Sequence, residues 1–222
     1  MFVSLYGDKF LERGLAVLAI DGPGQAESSI RKIKVTTDNF PRAGKAMVDF
    51  LIERPEIDQE KIAIFGISFG TFWVPQVAAC DDRIKCTVVA MVCHEPGMKT
   101  IFNEACPTFK ARHMWMAGYK DEEEFDKYMQ SLSLKGVGEK LQAPIFIAAG
   151  ENDELSPIEH TYAFFDEIKA PKKLMVFQGR KHDLPEPMVK TAFADWIGDR
   201  FEGKPVESGI IYVDMFGGET KK

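Results

Sequence analysis

The sequence predicts an α/β fold, a mostly parallel sheet with helices on both faces. Three observations carry this reading. Continuous apolar runs such as Leu15-Ala16-Val17-Leu18-Ala19-Ile20 and Pro144-Ile145-Phe146-Ile147-Ala148-Ala149 lack alternation, which suits strands buried on both faces. Segments with apolar residues at helical spacing separate the runs. Polar, turn-forming residues gather where the runs end, on the rim where open α/β sheets place their sites.

Taken in order, residues 2–13 read as a short amphipathic helix with Phe2, Leu5, Tyr6 and Phe10 on one side, stopped by Gly14. Residues 15–20 are the first strand. It ends in Asp21-Gly22-Pro23-Gly24-Gln25. These residues are turn chemistry on one reading. On the other they form a loop bordering a site, with Asp21 a candidate substrate-site residue. Residues 40–54 are helical, since Phe40, Ala43, Met47, Phe50 and Leu51 share a face and Pro41 fits a first turn.

The strand Ile62-Ala63-Ile64-Phe65 leads into Gly66-Ile67-Ser68-Phe69-Gly70. This is G-x-S-x-G between a strand and a helix, a nucleophile elbow. A serine hydroxyl is a poor nucleophile, so it must stand exposed on a sharp turn within reach of a base. Gly66 and Gly70 let strand and helix approach closely, and the turn aims the Phe69 backbone N–H at an oxyanion. The pentapeptide alone is a weak signal; its flanking elements give it weight. The following helix carries Phe69, Phe72, Trp73 and Val77 on one stripe, with Pro75 inside, which removes a hydrogen bond.

Residues 86–93 are the next buried strand. Residues 94–138 then break the rhythm, with Met114, Trp115, Met116, Phe125, Tyr128 and Met129 among many charges and a helix over 121–131. A long insertion between sheet strands suits a lid or cap. Its aromatic residues either line an apolar pocket or pack the lid onto the body. Regular structure resumes with the strand at 144–149, a helix over 158–169, a strand over 173–177, a helix over 188–201 and a short edge strand at 210–213. Residues 1–222 read as a single domain with one insertion.

Composition narrows the partners. The 222 residues carry a net charge of -6 and no basic stripe, which argues against nucleic acid. No apolar run approaches the length of a membrane span. The first residues include Asp8 and Lys9 and lack a signal-peptide core. Cys80, Cys86, Cys93 and Cys106 form no CxxC pair, so they read as buried, reduced thiols of a cytoplasmic protein and not as a metal site.

A serine on an elbow needs a base, and the base needs an orienting carboxylate. Asp153 and His182 both lie just past the ends of strands, on the rim that holds Ser68. The chain order Ser, Asp, His fits this arrangement. His94 also follows a strand but precedes every candidate acid; His113 lies in the insertion and His160 in a helix. Glu151 and Glu154 compete with Asp153 and read as solvated loop charges.

Together, Gly66-Ile67-Ser68-Phe69-Gly70, Asp21-Gly22-Pro23-Gly24-Gln25, Gly150-Glu151-Asn152-Asp153 with Pro157, and Gly179-Arg180-Lys181-His182 resemble the α/β-hydrolase superfamily. The strand before Asp-Gly-Pro-Gly-Gln, and Pro75 in the elbow helix, resemble the branch holding FrsA-like esterases and the 2,6-dihydroxypseudooxynicotine hydrolase type, which cleaves a carbon–carbon bond beside a ketone. The resemblance runs to about residue 201. It implies a Ser68–His182–Asp153 triad with Phe69 N–H as one oxyanion donor, and no metal or organic cofactor. The implied activity is hydrolysis of an ester or a ketone-adjacent carbon–carbon bond of a small organic substrate through an acyl-enzyme. A peptidase, a thioesterase and a catalytically dead or truncated protein of this fold are the rivals.

Three departures from that branch matter. Ala26 stands where Gly is usual after Gly24-Gln25, and Thr71 where Gly is usual after the elbow. The chain also looks N-terminally short: relatives carry an earlier strand whose loop supplies a second oxyanion donor, typically worth about 2.7–4 kcal/mol. Without that strand, residues 15–20 would keep an unpaired edge, a route to aggregation or a homodimer. Glu95, directly after the 86–93 strand, has two readings. It is a second acid that protonates a carbanion leaving group, or a cap on the insertion's first turn.

Overall fold

Alternation along the central strands sends successive side chains to opposite faces. The computed structural model, which describes residues 7–221, places these strands in a six-stranded sheet of order β1-β2-β3-β4-β5-β6. The strands are β1 (Ile62–Ile67), β2 (Ile84–Ala90), β3 (Ile145–Gly150), β4 (Lys172–Phe177), β5 (Gly209–Val213) and β6 (Glu219–Lys221). β1 to β5 run parallel, and β6 returns antiparallel to β5.

Val89, Ile145, Ile147, Leu174 and Val176 belong to one core. Their neighbours Val88, Phe146, Ala148, Met175 and Phe177 belong to another on the opposite face. The first core is covered by α3 (Asn39–Ile52), α4 (Gly70–Ala78) and α8 (Ile158–Glu167), through residues such as Val48, Phe72, Trp73 and Phe164. α9 (Glu186–Phe201) covers the second with Val189, Phe193 and Trp196. Phe10 of α1 (Asp8–Leu11) joins it, its ring 5.8 Å from that of Phe65. Helices therefore lie on both faces, as the apolar runs require.

Between β2 and β3 the chain builds α5 (Lys99–Glu104), α6 (Pro107–Ala117) and α7 (Glu122–Gln130). Asp121 caps α7 by accepting the Glu124 N–H at 2.9 Å. Ile101, Met116, Phe125 and Met129 of these helices are buried in the first core.

Residues 15–20 are not a strand. Leu15 and Val17 pack beside Ala63 and Phe65 on the second core, while Leu18 and Ile20 are 43% and 45% exposed. The physical reason is pairing. A strand needs a neighbour for its N–H and C=O groups, and among the described residues β1 is the edge of the sheet, bonded only to β2. One further expectation changes. Cys86 and Cys93 are buried, but Cys80 and Cys106 are exposed. The chain also folds a short helix, α2 (Ala26–Ile30), just after the Asp21 turn. Of the 2–13 helix, Phe2, Leu5 and Tyr6 lie outside the described residues. Among the described residues, no helix is long and apolar enough to cross a membrane.

Candidate active site

The turn between β1 and α4 forces Ser68 into the left-handed region, at φ 50°. For a residue with a Cβ this backbone is strained and persists only where its surroundings hold it. Ser68 N–H donates to the Ala90 carbonyl of β2 at 3.0 Å. The Ser68 carbonyl accepts the Thr71 N–H at 2.8 Å and the Thr71 hydroxyl at 2.7 Å. A Cβ on Gly66 would stand 2.8 Å from the Gly70 carbonyl oxygen, so Gly66 is what lets strand and helix close up. A Cβ on Gly70 would meet nothing within 4 Å, so its absence is not a packing requirement.

Two neighbouring loops bring the other groups. The loop after β3 carries Asp153 and the loop after β4 carries His182. They are clasped together: Asn152 N–H donates to the Arg180 carbonyl at 2.8 Å, and Gly179 N–H donates to the Glu151 carboxylate at 2.9 Å. Any Cβ on Gly150 would collide with the Lys181 carbonyl, so glycine permits the clasp.

The result is an unbroken line. Ser68 Oγ lies 3.0 Å from His182 Nε2, and His182 Nδ1 lies 2.8 Å from Asp153 Oδ2. The Asp153 side chain is fully buried and that of His182 is 18% exposed. Asp153 Oδ1 accepts the Leu155 N–H at 2.9 Å and the Ser156 N–H at 3.1 Å. A carboxylate pinned on one oxygen presents the other in a fixed direction. It holds the hydrogen on His182 Nδ1, which leaves Nε2 free to take a proton from Ser68.

Cys93 lies behind the nucleophile, its Sγ 4.0 Å from Ser68 Oγ. Burial pushes this thiol up to about 12, so it is no competing thiolate. Phe69 occupies the N-cap of α4, where backbone N–H groups lack intrahelical acceptors. Its ring stands edge-on to His113 of the insertion at 4.8 Å. Phe102 and Phe109 also flank His113, at 5.4 and 4.3 Å between rings. His113 Nδ1 lies 2.9 Å from the Phe109 carbonyl, which makes Nδ1 the protonated nitrogen. Burial lowers this imidazole to about 4.

The remaining candidates have other partners. Glu95 uses both carboxylate oxygens on Thr100, accepting its N–H at 2.7 Å and its hydroxyl at 2.9 Å. That is the capping arrangement at the start of α5 and not a free acid. Asp21 is exposed and accepts the Ser28 hydroxyl on its backbone carbonyl at 3.0 Å, while Gly22 N–H donates to the Gln25 side chain. Asp21 also lines a cavity of about 350 Å³ with Pro23, Ser28, Asn39 and Arg42, which includes none of Ser68, Asp153 or His182. His94 is buried beneath the site, and burial lowers it to about 3.

The buried hydroxyls around the site leave little mark in the sequence. Thr71 and Ser156 are 0% and 1% exposed. Thr71 had one legible signal, its replacement of the usual glycine; Ser156 had only its nearness to Asp153.

The family model of the prolyl oligopeptidase family matches residues 6–197. Esterase FrsA of Escherichia fergusonii is 28% identical over 172 residues, covering 71% of this chain and 39% of the esterase. 2,6-Dihydropseudooxynicotine hydrolase of Paenarthrobacter nicotinovorans is 31% identical over 78 residues, 35% of this chain and 21% of that one. This chain thus spans well under half the length of either relative. Among solved structures, 2,6-dihydroxy-pseudo-oxynicotine hydrolase superposes with a TM-score of 0.82 at 22% identity, over 94% of this chain and 59% of the other. That likeness fixes the α/β-hydrolase fold, and with the family match over most of its length the chain belongs to the prolyl oligopeptidase family.

Proposed function

We propose that this protein is a serine hydrolase that cleaves an ester of a small organic molecule through an acyl-enzyme. The observation that carries the reading is the continuous line Ser68 Oγ–His182 Nε2–Nδ1–Asp153 Oδ2, at 3.0 and 2.8 Å. As Ser68 Oγ attacks the substrate carbonyl carbon, its proton passes to His182 Nε2, and Asp153 stabilises the imidazolium. The carbonyl oxygen becomes an oxyanion facing the Phe69 N–H. Collapse of the tetrahedral intermediate expels the alcohol, which takes the proton back from His182. Water then repeats the sequence on the acyl-Ser68 ester, releasing the acid and the free serine.

The aromatic group of Phe69, Phe102, Phe109 and His113 supports an apolar substrate held under the insertion, which acts as a lid. Ester hydrolysis is preferred over carbon–carbon cleavage for a specific reason. Expelling a carbanion calls for an added acid, and the nearest candidate by sequence, Glu95, is engaged with Thr100. Peptide substrates are the second reading, favoured only by the family to which the chain belongs.

The test is a screen of p-nitrophenyl esters of increasing acyl length beside aryl 1,3-diketones, with Ser68→Ala as control. The reading expects ester turnover that Ser68→Ala abolishes. No turnover of any ester, or a variant retaining more than about a tenth of the rate, would overturn it.

A further inference from the structure

β2 lies between β1, which carries the elbow, and β3, which carries the acid loop. Where β2 ends, two consecutive backbone N–H groups turn to opposite sides. Cys93 N–H donates to the Thr71 hydroxyl at 2.8 Å. His94 N–H donates to the Ser156 hydroxyl at 3.1 Å. Thr71 passes the constraint to the nucleophile by donating its hydroxyl to the Ser68 carbonyl at 2.7 Å. Ser156 passes it to the acid by donating its own N–H to Asp153 Oδ1 at 3.1 Å. Since Asp153 meets His182 and His182 meets Ser68, the hydrogen bonds close into a ring around the end of β2.

We propose that Thr71 and Ser156 are positioning residues, whose buried hydroxyls fix the nucleophile elbow and the acid loop to the shared Cys93–His94 backbone and so set the Ser68–His182 distance. The inference rests on the proposed role of Ser68. Three features make the ring more than packing. Ser68 is in a strained backbone conformation that needs holding, and Thr71 holds it through two bonds to one carbonyl. Both hydroxyls are out of contact with water, so neither has a solvent substitute for its partner. The ring is also braced from within. The His94 imidazole lies 3.2 Å from the Thr161 hydroxyl of α8, through Nδ1.

The experiment compares wild type with Thr71→Val, Thr71→Ser, Ser156→Ala and the double variant. It measures kcat and KM on a p-nitrophenyl ester and the rate of fluorophosphonate labelling at Ser68. Displacing a reacting atom by about 1 Å costs on the order of 100-fold. Thr71→Val should therefore lower kcat and the labelling rate roughly 10- to 100-fold. KM should stay nearly constant. Thr71→Ser, which keeps the hydroxyl, should recover most of the loss. Ser156→Ala should show the same split, and the double variant should lose less than the product of the two singles. Wild-type labelling rates in both Thr71→Val and Ser156→Ala, or a Thr71→Ser as slow as Thr71→Val, would overturn the proposal. Should Thr71→Val fail to fold, Thr71→Ala and Ser156→Ala remove the same hydroxyls without setting a methyl group in their place and are read by the same criteria. Failure of wild type to label at all would instead overturn the serine hydrolase reading.

Discussion

Asp153 meets His182 through one carboxylate oxygen and is pinned by two backbone N–H groups through the other. The acid can therefore neither rotate nor exchange partners without breaking three bonds. This makes Asp153→Asn more damaging than its shape suggests. The amide would present an N–H to His182 or to the loop and favour the wrong imidazole tautomer. We expect kcat to fall by about 10⁴, as such changes do elsewhere. Glu154→Gln should be nearly silent, because Glu154 only pairs with exposed Lys181 at 3.1 Å. Steady-state kinetics on one ester checks both; a large loss in Glu154→Gln and a small one in Asp153→Asn would reverse the assignment.

Glu95 gives a prediction about substrate dependence. Its bonds to Thr100 are of the capping kind, so Glu95→Ala should cost about 1 kcal/mol of stability. Relative rates on an aryl ester and an aryl diketone should change together. Selective loss of diketone cleavage in Glu95→Gln would show instead that the carboxylate acts on a leaving group.

Ala26 lies at φ 31°, a left-handed conformation at the start of α2. An Ala-to-Gly change inside a helix ordinarily destabilises by roughly 0.5–1 kcal/mol. Here the sign should invert, because a left-handed residue with a Cβ costs roughly 1–2 kcal/mol. Ala26→Gly should raise the melting temperature by a degree or more, on the order of 2–4 °C per kcal/mol. A lower melting temperature would show that Ala26 is not strained.

Buried His94 and His113 make the fold sensitive to acid. Both are held neutral by burial, at about 3 and about 4, whereas an unfolded histidine titrates near 6.5. Below about pH 6.5 the unfolded chain thus binds more protons than the folded one, and stability falls as pH drops towards 4. Each imidazole contributes up to about 1.4 kcal/mol per pH unit in that window. Urea midpoints at pH 7.5 and 5 should separate for wild type and draw together in His94→Asn. Parallel shifts in the two proteins would exclude His94 as the source.

The elbow, the parallel sheet and the two loops that carry Asp153 and His182 were legible because each is a local pattern. An apolar run, a turn and a helix face are written within a few residues of one another. Residues 15–20 have the same apolar pattern as β3 and yet are not a strand, because pairing depends on a neighbour that no local window contains. Helix α6 had a weaker signal for a different reason: its inward face carries buried His113 and half-buried Lys110 between the apolar residues. Pro107 at its start and Gly118 at φ 85° at its end were the available signals. The bonds from Cys93 to Thr71 and from His94 to Ser156 join residues 22 and 62 apart in the chain, and no spacing rule reaches them.

Every step proposed for the site depends on Ser68 being a nucleophile activated by His182. Intact protein treated with a fluorophosphonate probe, followed by peptide mass spectrometry, tests it most directly. One adduct is expected, on Ser68, which forms in the wild type and is reduced by orders of magnitude in His182→Ala. An unmodified Ser68, or labelling that His182→Ala leaves unchanged, would contradict it.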